Sequence, residues 1–153
     1  MFRISGLPAA DFAEWFELDA AALAARGGVK RRVDAPHAFP CRISLTDAAV
    51  GDEVLLINHE HLPVDSPYRS RHAIYIRAGE RTFDAVDTVP DMLRRRLLSL
   101  RAFDRAGMMT GCDVVEGCEL ERVVGDLFAD PKAAYLHVHF ARPGCYAARI
   151  ERA

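Results

Sequence analysis

The C-terminal stretch of the sequence constrains the fold more than any other. Two segments rich in strand-forming residues, "AAYLHVHFA" (133–141) and "CYAARIER" (145–152), are separated only by "RPG". A connection this short joins antiparallel strands, because parallel neighbours need a crossover of about a dozen residues or more. The stretch therefore predicts an antiparallel β-hairpin.

A second hairpin is predicted upstream, where "LLSLRAFD" (97–104) and "MMTGCDVVEG" (108–117) flank the turn "RAG". A longer helix that continues through residue 101 is the alternative. Apolar spacing predicts further strands at 2–7, 41–45, 53–61 and 72–77, and helices at 9–26, 87–98 and 118–130. Because these elements do not alternate regularly, the sequence predicts an α+β fold. We expect a single globular domain over residues 1–153, with a mostly antiparallel sheet of roughly six to eight strands and about three helices.

Charge and hydropathy narrow the class of protein. The 20 Lys and Arg residues nearly balance the 22 Asp and Glu residues, which leaves a net charge of −2. Such a chain has no overall field that attracts a phosphate backbone or an anionic membrane, so neither nucleic acid nor membrane is a predicted partner. No run of about 18 apolar residues and no export signal is apparent, which predicts a cytoplasmic protein.

The four cysteines are Cys41, Cys112, Cys118 and Cys145, and no two of them form a CxxC pair. A zinc ribbon or a thioredoxin-like motif is therefore not indicated. In a cytoplasmic chain we expect all four thiols to be reduced. Glycine-rich phosphate loops and a GxSxG elbow are also missing, which removes the main support for nucleotide binding and for a serine hydrolase.

Two histidines share one face of the predicted strand 133–141. Alternation puts His137 and His139 on the opposite side from Leu136, Val138 and Phe140. Their Cα atoms lie roughly 6.6–6.8 Å apart in a strand, from which two imidazoles converge on one metal ion. A metal site also needs further ligands, for which His72 or a cysteine is the candidate. The alternative is two hydrogen-bonded side chains on a sheet face.

The pair His59 and His61 in "INHEH" has the same spacing. It ends a predicted strand just before a proline-containing loop, so we expect a solvated strand end. The run Arg94–Arg96 is likewise expected to be a solvated face, because helical geometry spreads consecutive residues around the axis.

A thiol and a guanidinium are adjacent at Cys41 and Arg42. If His72, His137 or His139 lies against the thiol, a thiolate–imidazolium pair forms, which activates a cysteine nucleophile. Cys41, His72 and His137 are thus the candidate catalytic residues. The alternative is that Cys41 and Cys145 behave as small buried apolar residues.

Four segments carry a family resemblance: "FPCRISLTDAAVGDEVLLINHEH", "SPYRSRHAIYIR", "LLSLRAFDRAGMM" and "HVHFARPGCYAARIERA". They resemble the bacterial family catalogued as domain of unknown function 1203, from about residue 38 onward. The most specific pieces are Pro-Cys-Arg at 40–42, the Pro-Tyr-Arg and His-Ala-Ile pieces within 67–74, and Gly-Cys-Tyr at 144–146. The resemblance implies no activity. It does direct attention to the reactive residues within the matching segments: Cys41, Arg42, Tyr68, His72, His137 and Cys145.

Three functional hypotheses follow, and none specifies a cofactor. In the first, Arg42 and either Arg69 or Arg71 orient a small anionic ligand, while His72 or His137 handles a proton. Tyr68 and Cys145 complete the candidate binding residues. In the second, His137 and His139 bind a metal ion. In the third, the protein has no chemistry and forms a homodimer through a sheet edge or the first helix.

Overall fold

The computed structural model describes residues 1–153 and contains eleven strands. In chain order these are β1 (Phe2–Ser5), β2 (Val29–Arg32), β3 (Pro40–Cys41), β4 (Thr46–Asp47), β5 (Glu53–Leu62), β6 (Ser70–Ile76), β7 (Asp84–Val86), β8 (Leu97–Phe103), β9 (Met109–Glu116), β10 (Tyr135–Phe140) and β11 (Tyr146–Arg152). Four α-helices accompany them: α1 (Ala13–Phe16), α2 (Ala20–Ala25), α3 (Asp91–Arg94) and α4 (Leu120–Phe128). The α+β class is therefore confirmed.

The strands form two sheets rather than the one that the sequence predicted. The first has six strands in the order β7-β1-β11-β10-β8-β9, and the second has five in the order β2-β5-β6-β3-β4. Every pair is antiparallel except β3 with β6. Both predicted hairpins, β8–β9 and β10–β11, are confirmed within the first sheet. The division arises because β5 pairs with β2 and β6 and with no strand of the first sheet, a long-range choice that local alternation does not encode.

The helices are shorter than predicted. The expected helix at 9–26 is a 3₁₀ turn followed by α1 and α2, because α1 already ends at Phe16 and a new helix starts at Asp19. Its backbone is extended, and its carboxylate accepts a hydrogen bond from the Ala22 N–H, as an N-cap residue does. Likewise α3 is a single turn, after which the chain enters β8. The alternative of a helix through residue 101 is therefore wrong.

The expected strand at 41–45 is also interrupted. Only Pro40 and Cys41 pair as β3, and the chain then turns at residues 42–45 with the Leu45 N–H donating to the Cys41 carbonyl. Leu45 has a φ of 52°, which is a turn conformation and not an extended one. This turn directs Arg42 towards β11.

Each sheet has its own apolar core. One face of the first sheet packs under α3 and α4 in a cluster of 19 buried residues, to which Leu136, Val138 and Phe140 of β10 contribute. A second cluster of 10 buried residues joins β5 and β6 to the N-terminal helical segment, and it includes Tyr146 of β11. The opposite face of the first sheet therefore meets the second sheet at β10 and β11. None of the helices is both long and apolar enough to cross a membrane.

Candidate functional site

A cluster of buried histidines lies where the two sheets meet. His137 and His139 come from β10 and His61 from the end of β5, and all three are at most 9% exposed. As alternation predicts, the two β10 imidazoles lie opposite the apolar row that packs under α3 and α4. The face of the first sheet that meets the second sheet thus supplies two imidazoles, and β5 of the second sheet supplies the third.

The distances within this triad suit a common ligand. One ring nitrogen from each imidazole can be chosen so that all three lie within 4.8 Å of one another. The Nδ1 atoms of His61 and His137 are 3.3 Å apart. Two nitrogens that bind one tetrahedral zinc ion at 2.0–2.1 Å lie roughly 3.3–3.4 Å apart. Two nitrogens of the triad therefore lie at the separation that a tetrahedral metal site requires.

Hydrogen bonding fixes the tautomer of His139. Its Nδ1 lies 3.1 Å from the Gly144 carbonyl oxygen, which can only accept a hydrogen bond, so Nδ1 carries the proton. Neutral imidazole then presents an unprotonated Nε2. That nitrogen is buried and has no hydrogen-bond partner. A backbone carbonyl that orients one nitrogen while the other stays free is the usual surrounding of a metal-ligating histidine.

His61 contains the second unpartnered nitrogen of the triad. Its Nδ1 lies 3.3 Å from Nδ1 of His137, while its Nε2 is buried without a partner. A buried polar atom left in this way costs about 1–3 kcal/mol. For Nε2 of His139, a bound cation would remove such a cost, whereas an apolar filling would not.

The imidazoles of the triad are neutral near pH 7. Burial first, and then repulsion from neighbouring imidazoles, lower the pKa of His61 to about 3 and that of His137 to about 2. For His139, burial and the positive charge of Arg101 lower the pKa to about 3. Metal ions bind the neutral form, so protons do not compete for these nitrogens at neutral pH.

His72 on β6 extends the triad to a fourth imidazole. Its ring stacks on His61 with centroids 4.7 Å apart and an interplanar angle of 7°, and it meets His139 edge-on at 5.3 Å. Its Nδ1 is buried and also lacks a partner. The other side of the cluster is covered by Tyr146, whose ring stacks on His61 at 4.8 Å. Tyr146 closes the site, and His72 forms its boundary with a larger cavity.

That cavity has a volume of about 630 Å³ and is lined by four arginines together with apolar residues. Arg42 lies in its wall and is only 2% exposed. The guanidinium donates from Nε to the Tyr146 carbonyl oxygen at 2.8 Å and from Nη2 to Cys145 Sγ at 3.0 Å. Arg42 therefore ties the Pro-Cys-Arg turn to the start of β11, and the two sequence motifs meet at this point.

The other candidate residues are distributed unevenly around the site. Cys41 is completely buried in the second apolar cluster, whereas Cys145 lines the cavity. Tyr68 is 37% exposed and packs edge-on against the Phe103 ring at 6.0 Å. It lies away from the cavity lining.

Arg69 and Arg71 also lie away from the cavity lining. Arg69 pairs with Glu60 through two hydrogen bonds, and Arg71 donates to Asn58. Arg71 directly precedes His72 in β6, so the two side chains point to opposite faces of the sheet. His72 therefore faces the first sheet, whereas Arg69 and Arg71 are exposed to solvent.

The expectation of a solvated strand end at His61 is wrong. The strand continues to Leu62, and between the pairs His59–His72 and Leu62–Ser70 it has two residues opposite one. Such a β-bulge bends a strand and re-aims its side chains. The sequence did contain a signal that His61 is buried, because the apolar residues Leu55 and Ile57 precede the two histidines on the same face of the strand.

The expectation of a solvated face at the arginine run holds for Arg94 and Arg95, which are exposed, but not for Arg96. Arg94 pairs with Glu121 on the surface, but Arg95 and Arg96 line the cavity. Arg96 forms two hydrogen bonds with Asp47, at 2.6 and 3.2 Å, and is half-buried. The helix α3 is one turn long and ends at Arg94, so Arg96 lies beyond it and faces the second sheet.

The fold and the site together define a class: a two-sheet α+β protein with a buried histidine cluster beside an arginine-lined cavity. Residues 38–152 match the family described as "Protein of unknown function (DUF1203)", so the chain belongs to that family. The match covers the strands that supply all four clustered imidazoles. Neither a curated protein nor a solved structure matches the chain.

Proposed function

We propose that this protein binds one divalent transition-metal ion, with zinc as the best fit, through His61, His137 and His139. The observation that carries the proposal is the 3.3 Å separation of two triad nitrogens, next to a third imidazole whose Nε2 is unprotonated and unpartnered. This arrangement favours a cation with nitrogen ligands over a purely structural cluster.

The donor set determines which cations are suitable. The cluster consists of imidazoles alone, with no carboxylate among its members. Imidazole suits zinc, copper, nickel and iron, whereas magnesium and calcium require oxygen ligands. Three histidines with one remaining position is also the arrangement of catalytic zinc sites, in which water or substrate completes the coordination. His72, through its unpartnered Nδ1, is the proposed occupant or gate of that fourth position.

Elemental analysis of protein purified without a histidine tag tests the proposal. We expect close to one equivalent of metal per chain after dialysis, and its loss in His61→Gln and His139→Gln. His59→Gln is the matched control, because His59 lies on the same strand but packs against Phe12 at 5.2 Å instead of joining the triad. Metal that dialyses away, or that persists in both triad variants, would contradict the proposal.

We also propose the cytoplasm as the location and a homodimer as the assembly of this single domain. All four cysteines are free thiols, the state that a reducing compartment maintains. Edge strands β2, β7 and β9 each expose a valine, namely Val29, Val86 and Val114. Light scattering tests the assembly, since a monomer at all concentrations would remove the dimer.

A further inference from the structure

We infer that the arginine-lined cavity binds a small organic anion, a carboxylate or a phosphate monoester that also has an apolar part. The inference does not depend on the metal proposal. The cavity is lined by four arginines, Arg42, Arg95, Arg96 and Arg142, against a single carboxylate, Glu116. Its volume of about 630 Å³ lies within the range of small-molecule sites.

Arg42 is the strongest reason to expect an anion. Its guanidinium is buried, and its three nitrogens donate to two backbone carbonyl oxygens and to the Cys145 sulfur. These acceptors use three of the five N–H groups and provide no carboxylate. A buried charge without a counter-charge is costly, and arginine does not relieve the cost by losing its proton. An anion in the cavity would supply the missing counter-charge.

Arg96 places a second guanidinium beside the first. Both guanidinium groups contact the Phe140 ring, with Cζ–centroid distances of 4.9 Å for Arg42 and 5.1 Å for Arg96. The two Asp47 oxygens hold Arg96 in place by hydrogen bonds at 2.6 and 3.2 Å. Phe140 and Asp47 thus fix the two cations before any ligand arrives. Because Asp47 and the carbonyl oxygens of Met92 and His37 accept from its terminal N–H groups, Arg96 adds fixed positive charge. The two unused N–H groups of Arg42 remain as donors for a planar or tetrahedral oxyanion.

The rim of the cavity adds exposed positive charge. Arg95 contacts the exposed imidazole of His37 at 2.9 Å, and Arg142 is exposed and forms no ion pair. Long-range attraction from such rim charges speeds the approach of an anion more than it adds to affinity.

The apolar part of the ligand is indicated by the rest of the lining. Seven of the 16 lining residues are hydrophobic, and they include Leu56, Leu97 and Phe140. An inorganic ion would leave these apolar side chains in contact with water, whereas an aromatic or aliphatic acid would bury them. His72 lies in the same wall and would face the non-ionic part of the ligand.

Calorimetric titration with phenyl phosphate, benzoate, inorganic phosphate and benzyl alcohol tests the inference. We expect at least one of the two organic anions to bind, with inorganic phosphate about tenfold weaker and benzyl alcohol undetectable. Which organic anion binds more tightly identifies the headgroup. Tight binding of inorganic phosphate alone, or no heat from any anion at millimolar concentration, would overturn the inference.

Variants locate the binding. Arg142→Gln and Arg95→Gln change exposed side chains and should each weaken binding about threefold to tenfold. Arg69→Gln, an exposed arginine outside the cavity, is the control and should have no effect. Arg42→Gln should abolish binding, and circular dichroism shows whether that variant folds. Equal binding by Arg142→Gln, Arg95→Gln and wild type would place the anion elsewhere and contradict the inference. The anion should still bind to His61→Gln, because that variant removes a ligand of the proposed metal site and leaves the arginines of the cavity intact. Anion binding and metal binding can therefore fail independently of each other.

Discussion

Acidification of the metal-free protein should destabilise it steeply between pH 6.5 and pH 5. In the unfolded chain the imidazoles of His61, His137 and His139 titrate near pH 6.5, whereas in the folded protein their pKa values are about 2 to 3. Because the folded pKa lies below the unfolded one, the unfolded chain binds more protons at intermediate pH. The stability contribution is complete above pH 6.5 and is lost as the pH falls towards the folded values.

The magnitude follows from the same shifts. Each neutral buried imidazole makes the free energy of unfolding about 2 kcal/mol smaller at pH 5 than at pH 7, so the three together remove about 6 kcal/mol. Burial also lowers the pKa of His59 and His72, which adds to the loss. Since typical domains are stable by about 5–15 kcal/mol, the metal-free protein should be close to unfolding at pH 5.

Urea denaturation in the presence of a chelator, at half-unit steps from pH 7.5 to 5, measures this effect. His61→Gln should reduce the total loss to about 4 kcal/mol by removing one of the three groups. His37→Gln is the matched control, because that side chain is 57% exposed and lies outside the buried histidine cluster. A loss below about 1 kcal/mol in the wild type would refute the argument that these imidazoles are held neutral by burial.

Three further predictions concern charge, packing and thiol access. Arg101 disfavours positive charge at the triad, so Arg101→Gln should tighten zinc binding about fivefold by competition titration, and weaker binding would contradict this. A Cβ at Gly117 would lie 1.9 Å from the Leu93 carbonyl oxygen, so Gly117→Ala should cost about 3 kcal/mol or more in urea denaturation. Gly125→Ala, which meets nothing within 4 Å, should instead be neutral or slightly stabilising. Iodoacetamide should modify the two exposed cysteines first and leave buried Cys41 untouched in native protein. Rapid modification of Cys41, detected by mass spectrometry, would contradict this expectation and support Cys41 as a nucleophile.

The local sequence pattern was sufficient to predict part of the fold and part of the histidine site. Two-residue alternation in "YLHVHF" predicted that His137 and His139 share a face, because strand geometry leaves a side chain only two directions. Short glycine-containing connections predicted both hairpins for a similar reason, since their length permits only antiparallel pairing.

The remaining features depend on long-range contacts. His61 enters the cluster through a bulge opposite β6, and no pattern within β5 itself announces a bulge. Arg96 reaches the cavity because α3 ends after one turn and Asp47, 49 residues away in sequence, holds its guanidinium. The separation into two sheets is decided by the partners of β5. Pairing between distant segments is a property of the whole chain, so local propensity could not predict it.

X-ray absorption spectroscopy of the zinc-loaded protein tests the central claim most directly. We expect a coordination shell of imidazole nitrogens at about 2.0–2.1 Å, three from the triad, with one further nitrogen or oxygen and no sulfur. A shell containing sulfur at about 2.3 Å, or six oxygens typical of weakly bound surface metal, would contradict it.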